Sequence, residues 1–259
     1  MARNLALGKG ELHFAPFASG TQVAGGYRFL GNCPEFTLTI DDEQLDHYSS
    51  TSGVREKDDQ VTLEVSRSGS ITCDDVQAKN LALFFLGTAA TLSVAGATDV
   101  TETISSVEQG LQYQLGVSTS APSGARKVTS VVVTDGEESP TTYDVTDDYT
   151  VDADLGLITI VEGGAITDAS DIEVTYDVTA HSRDQVISQT TAIEGSLKFI
   201  SKNPKGTKFD YHLPWVRFMP NGDISLIQDQ EWMTIPLNIE AFKLDTQEAI
   251  YLDGRPVTA

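Results

Sequence analysis

The chain has 259 residues and a formal net charge of -21, long enough for one large domain or two ordinary ones with a real buried core. So acidic a composition argues against holding DNA or an anionic membrane through a basic surface, because that binding works by neutralising phosphates. Two cysteines, Cys33 and Cys73, are too few for a disulfide framework and read as small buried hydrophobes; with no secretory apolar region at Met1–Leu7 and no membrane-length run, synthesis in a reducing cytoplasm is expected.

Residues 1–25 mix Gly8, Gly10, Gly20 and Gly25 with Phe14 and Phe17, a texture too glycine-rich for a helix, with Glu11–Ala15 as a candidate short strand. This segment is either an arm that orders on a neighbouring subunit or a frayed terminus. Glu35–Asp41 then alternates polar and apolar residues without a fault, the period-2 signature of a strand with one wet face. From Asp42 to Gln60 no apolar periodicity is visible, and a long polar loop is expected. Such loops are uncommon in compact domains and are usually functional or disordered. This one carries Asp46, His47, Tyr48, Arg55, Glu56, Lys57, Asp58 and Asp59. Both signs of charge beside an aromatic suit a polar protein contact made on assembly; a solvated mobile hairpin is the alternative.

A second strand follows, with Val61, Leu63 and Val65 alternating with Thr62, Glu64 and Ser66, and the rhythm resuming at Ile71 and Cys73. Asp74-Asp75 stands where an N-cap belongs, Val76–Leu86 has helical length, and Gly87 sits where a C′ glycine ends a helix. After Gly87 the composition shifts to Thr, Val, Ser, Ala and Asp. Residues 91–181 hold about 16 acidic and about 2 basic residues, a separate acidic unit. Short strands are expected at Leu111–Leu115, Val128–Val133, Tyr149–Val151, Leu157–Val161 and Ile172–Val178, divided by Pro122-Ser123-Gly124, Asp135-Gly136 and Gly163-Gly164. The spacing favours a small all-β sandwich of immunoglobulin-like kind, without the Cys…Trp…Cys signature of a true immunoglobulin domain. It would be an insertion between Ala90 and Ser182 into a discontinuous first domain, 1–90 with 182–259.

The first domain resumes with a strand around Ile193, Leu197 and Phe199 and another around Phe209, Tyr211 and Leu213. Pro220-Asn221-Gly222-Asp223 signals a hairpin, with Ile224–Ile227 as its return strand. Trp232–Phe242 alternates in its second half, and Pro236, lacking a donor, points to an edge strand or a bulge. Asp245–Ala259 reads as a polar terminal arm.

No catalytic constellation emerges. His13, His47, His181 and His212 lie outside any nucleophile-elbow or metal-helix motif, and Gly8-Lys9-Gly10 lacks the spacing of a phosphate loop. Asp147–Gly156 is oxygen-rich but lacks EF-hand spacing, and turn-forming aspartates account for it better than calcium. Asp41-Asp42-Glu43 would imitate paired carboxylates, yet adjacent strand residues point to opposite faces. No enzyme activity, cofactor or metal is expected.

The run Gly25-Gly26-Tyr27-Arg28-Phe29-Leu30-Gly31-Asn32-Cys33-Pro34-Glu35-Phe36-Thr37-Leu38-Thr39 resembles the N-terminal part of the major tail tube proteins of long-tailed, siphophage-type bacteriophages. There an apolar-Gly-Asn-x-Pro-Glu-Phe-x-Leu-Thr run leads into the first long strand of the tube. The resemblance extends over the first and last parts of the chain, outside the acidic insertion. It implies a tail-tube-type β-sandwich or barrel with one short helix. It further implies self-assembly into hexameric rings stacked as a tube, and contact with tape-measure and tail-terminator or tail-tip proteins. The resemblance also implies a place in the virion tail and DNA passing through the lumen without specific binding. In the family the long loop reaches the next ring, which assigns that role to the 42–60 residues named above. Glu35, Thr37, Thr39, Thr62, Glu64 and Ser66 are the candidates for the lumen-facing polar face. The insertion is expected to face outward. A secreted or surface-attached β-sandwich adhesin that binds carbohydrate or a host surface is the rival reading of the same composition.

Overall fold

In the computed structural model, which describes residues 5–255 apart from Ser52, the protein is mainly β with one short helix. Its first elements are β1 (Gly10–Pro16), β2 (Arg28–Phe29), β3 (Glu35–Ser49), β4 (Glu56–Cys73) and α1 (Ala78–Phe84). The chain then runs through β5 (Thr88–Val94), β6 (Ala97–Val107), β7 (Gln112–Gln114), β8 (Val128–Thr134), β9 (Tyr149–Asp152), β10 (Leu157–Ile160), β11 (Ser170–Val178) and β12 (His181–Ile187). It ends with β13 (Ile193–Ser201), β14 (Phe209–Pro220), β15 (Ile235–Ala241) and β16 (Tyr251–Gly254). Two compact units result: one takes the chain up to Ala90 and from Gln185 onward, the other is Thr91–Asp184. β5 and β12, which carry the chain across this division, pair as a two-stranded ribbon, and Thr91 Oγ1 donates to Asp184 Oδ1 at 2.9 Å.

The first unit is built on one eight-stranded antiparallel sheet ordered β2-β1-β13-β14-β15-β4-β3, with β16 also paired to β14. Period-2 burial drives it. Ile235, Leu237, Ile239 and Ala241 of β15 are buried and alternate with half-buried residues. They join Leu12, Phe14, Leu30, Ile71, Leu197, Leu213, Val216 and Phe218 in one core, where Phe14 and Phe218 meet edge to face with centroids 4.8 Å apart, a favoured aromatic geometry. At Gly69 a Cβ would lie 2.4 Å from the Thr37 carbonyl oxygen, so only glycine lets β3 close on β4 there.

Several expectations are corrected. The 42–60 segment is not an irregular loop: β3 runs to Ser49 and β4 starts at Glu56, paired from Glu35↔Thr72 to Ser49↔Glu56. Register shifts at Glu43/Gln44 and His47/Tyr48 leave Leu63 and Asp58 of β4 as the extra residues of two bulges; the segment reads as aperiodic because Leu45, Tyr48 and Val54 are its only apolar or aromatic side chains. The helix is shorter than expected, its N-cap is Gln77 rather than Asp74-Asp75, and the left-handed residue after it is Leu86 (φ 49°), not Gly87. Pro236 lies inside the sheet, between β14 and β4. Its carbonyl accepts from Asn221 N at 3.2 Å, so the donor it lacks would face the same side, where β14 has already ended at Pro220 and Asn221 is exposed to solvent. Ile224–Ile227 forms no strand, while the polar terminal arm contains β16. Cys33 and Cys73 are not free thiols: they form a disulfide. Cys33 enters β3 and Cys73 ends β4, so the hairpin register brings together two residues 40 apart in sequence.

The second unit has two three-stranded antiparallel sheets, β7-β10-β9 and β6-β11-β8. Both contribute to one core of Val107, Val128, Val133, Ile172, Val174 and Tyr176 with Leu115, Tyr149, Ile158, Ile160 and Ile166. The Tyr176 hydroxyl is pushed up to about 12, by burial first and then by Glu102, and stays neutral inside it.

Candidate functional site

The β3–β4 hairpin is the feature the fold leaves without a partner. Residues 35–39 and 67–73 are anchored on the core through Phe36, Leu38 and Ile71. Beyond them, Ile40–Tyr48 and Gly53–Ser66 are exposed on both faces. A strand pair normally buries one face, and a two-stranded ribbon alone is marginal in water. Yet this one exposes Ile40, Leu45, Val61, Leu63 and Val65, with Ile40 at 63% and Leu45 at 60%, and Leu45 lies directly opposite Val61. β3 is also the edge of the sheet, and among the described residues no strand pairs with its outer side. A long open edge is a template for another chain.

Cross-strand partners share a face, and this places the polar candidates. Glu35, Thr37 and Thr39 stand opposite Thr72, Ser70 and Ser68 at the base, and Thr37 and Ser70 hydroxyls are 2.7 Å apart. Farther out on the same face Ser66 is opposite Asp41 and Glu64 opposite Glu43, while Thr62 pairs with Gln44 beyond the bulge. The two sets therefore continue one another along the hairpin and are not each other's partners.

The outer candidates largely satisfy one another. Lys57 Nζ is 2.5 Å from Asp46 Oδ1, and His47 Nδ1 is 2.5 Å from Asp58 Oδ1. The Arg55 guanidinium lies 4.6 Å over the Tyr48 ring, and the Tyr48 hydroxyl donates to Asp46 Oδ2 at 3.4 Å. The bond from Lys57 is the main cause holding the Asp46 carboxyl below the usual range. Glu56 and Asp59 have no cation within ion-pair distance among the described residues.

Sequence reasoning placed Val61, Leu63 and Val65 on a strand with one buried face but missed that all three are exposed, together with Leu45 opposite Val61. It also missed the exposure of Leu226, Ile227 and Trp232, at 75%, 95% and 89%, in the segment between β14 and β15.

Elsewhere the groups that could do chemistry are dispersed. His13 packs on Phe29, His181 Nδ1 sits 2.9 Å from the Thr179 carbonyl, and His212 packs toward Tyr251. Burial, then Lys198, lowers the His212 pKa. In the Asp147–Gly156 string, Asp148 accepts from Asp144 N and Ala165 N at 2.8 and 2.7 Å, and Asp152 accepts from Leu155 N. These carboxylates close turns. Among the described residues no group of three or more His, Cys, Asp or Glu is arranged to hold a metal, and no helix is long and apolar enough to cross a membrane. A groove of the first unit is lined by Leu12, Phe36, Leu38, Phe199 and Tyr211, with Lys9 and Asn32 at its polar margin.

These features define a mainly β protein of two compact units whose larger sheet ends in a long open edge. The chain belongs to the family described as "Protein of unknown function UCP028589", whose model matches residues 5–250. No curated protein matches it.

Proposed function

We propose that the protein is a structural subunit of a phage tail tube, and that its function is self-assembly. The observation that carries this reading is the β3–β4 hairpin, a 15-residue edge strand with its partner that exposes apolar side chains on a ribbon with no core of its own. Pairing of that edge with another copy would remove its aggregation liability, and a head-to-tail contact between rings would propagate as a filament. On this reading the eight-stranded sheet is a tail-tube-type sandwich or barrel, and the second unit is an immunoglobulin-like sandwich carried on the outside. Rings are hexameric; the tube meets tape-measure and tail-terminator or tail-tip proteins, resides in the virion tail and conducts DNA passively. Glu35, Thr37 and Thr39, with Thr62, Glu64 and Ser66 farther along the hairpin, would line the lumen, where a surface poor in positive charge lets phosphate slide. No catalytic step is part of this function.

The Cys33–Cys73 disulfide suits a particle that meets oxidising surroundings outside the cell, and for the same reason it favours a second reading as an extracellular β-sandwich adhesin. Negative-stain electron microscopy of the concentrated protein separates the two. Uniform rings or hollow tubes are expected. Strictly monomeric particles at every concentration and salt would transfer the reading to the adhesin, with carbohydrate binding by the intact chain as the next measurement.

A further inference from the structure

The hairpin has an electrostatic counterpart within the same unit. The turn joining β13 to β14 carries Lys202, Lys205 and Lys208, all exposed, in a chain of net charge -21. Lys9 is brought beside it, since Lys202 N donates to the Lys9 carbonyl at 2.7 Å and Lys9 N donates to Asn203 Oδ1 at 2.9 Å. Lys202 meets a carboxylate, Glu11 at 3.4 Å. Among the described residues no acidic group lies within ion-pair distance of Lys9, Lys205 or Lys208.

The hairpin shows the opposite excess. Lys57 matches Asp46 and His47 Nδ1 lies beside Asp58, while among the described residues no cation lies within ion-pair distance of Asp41, Asp42, Glu43, Glu56, Asp59 or Glu64. Glu43 stands directly opposite Glu64, and like charges directly opposite on a strand pair destabilise it. Exposed apolar residues, an open edge and a like-charge pair coincide on the same ribbon. A positive partner would relieve the repulsion and cover the apolar surface together.

We infer that the acidic hairpin of one copy docks on the Lys202–Lys208 turn of a second copy. This inference rests on the assembly reading and names the surface that receives the hairpin. Each copy carries both halves, so the contact is heterologous, and repetition produces a ring or a filament according to whether the rotation closes. Complementary charge sets the register and speeds encounter, while the apolar side chains hold the contact once water is expelled.

The test is a charge exchange read by light scattering and electron microscopy. The chain carrying Lys202→Glu, Lys205→Glu and Lys208→Glu is expected to associate about 10- to 100-fold more weakly than wild type, as is the chain carrying Glu43→Lys, Asp59→Lys and Glu64→Lys. The chain carrying all six changes keeps the wild-type net charge and regains association, and an equal mixture of the two triple variants co-assembles where neither does alone. Thermal midpoints show that each variant is folded, and Lys205→Gln with Lys208→Gln, which remove charge without reversing it, give an intermediate loss. If wild type assembles and the lysine variants assemble equally well, the docking is wrong and the assembly reading stands. If the lysine variants lose association and the six-fold exchange does not restore it, the turn meets a different surface and the docking is again wrong. A wild-type chain that never associates overturns both.

Discussion

Asp148 shows how a single carboxylate holds a turn of the second unit. Its hydrogen bonds from Ala165 N first and Asp144 N second keep its carboxyl below the usual range. Because the folded pKa is depressed, the stabilisation is fully present above the unfolded value and is lost as pH falls through the folded one. Thermal melts taken below about pH 4 should therefore show a falling midpoint in wild type, and Asp148→Asn should lower the midpoint at neutral pH while flattening that acid limb. Asp210 follows the same sign through its bond to Arg255. In the larger core, Phe218→Ala should cost about 3–5 kcal/mol in denaturant titrations, by removing a fully buried ring that packs on Phe14. That the Asp147–Gly156 aspartates close turns was legible from their spacing with glycine. That Asp148 is the buried one was not, because the Ala165 N–H that it accepts lies 17 positions away in sequence.

At the level of elements, the disulfide and the hairpin belong together. The Cys33–Cys73 bond ties the base of β3 to the end of β4 and closes a loop across a separation of 40 residues. Replacing both cysteines with serine should cost about 2–4 kcal/mol of unfolding free energy in chemical denaturation, and reductant should do the same to wild type. Ile40→Lys combined with Val65→Lys should leave the stability of the unassembled chain within about 0.5 kcal/mol, since both side chains already face water. The same pair should reduce self-association in sedimentation, and unchanged association would mean that the exposed strip is not a contact. The base of the hairpin was legible because Glu35–Asp41 alternates without interruption. The tip of the hairpin was not, because residues 42–60 are almost wholly polar and a strand pair exposed on both faces has no alternation of burial for a sequence window to detect.

For the whole molecule, the two units treat their sheet edges differently. In the β6-β11-β8 sheet the edge strands are interrupted by register shifts, and Asp99, Ser106 and Ser130 adopt left-handed backbone conformations in those strands. The Asp177 and Asp171 carboxylates of the central strand β11 accept from the Asp99 and Ser106 N–H groups, which satisfies donors left out of the ladder at these irregular positions, and irregular edge strands of this kind are poor templates for a further strand. The first unit leaves β3 open. Removing Thr91–Asp184 and joining the ends by a short glycine-serine linker should therefore leave assembly intact, because the two crossings already lie side by side at Thr91 and Asp184. Loss of polymerisation in that chain would show that the second unit takes part in the contact.

Composition and local pattern by themselves determined that this protein is mainly β, that its middle is acidic, and that its first long strand begins at Glu35. These follow from side-chain alternation and charge, which are local properties. Only the tertiary structure decided that Cys33 meets Cys73, that Pro236 sits inside a sheet and that Glu43 faces Glu64. Each of these depends on the pairing register between strands distant in sequence, and register is set by the shared core and by bulges that no local period encodes.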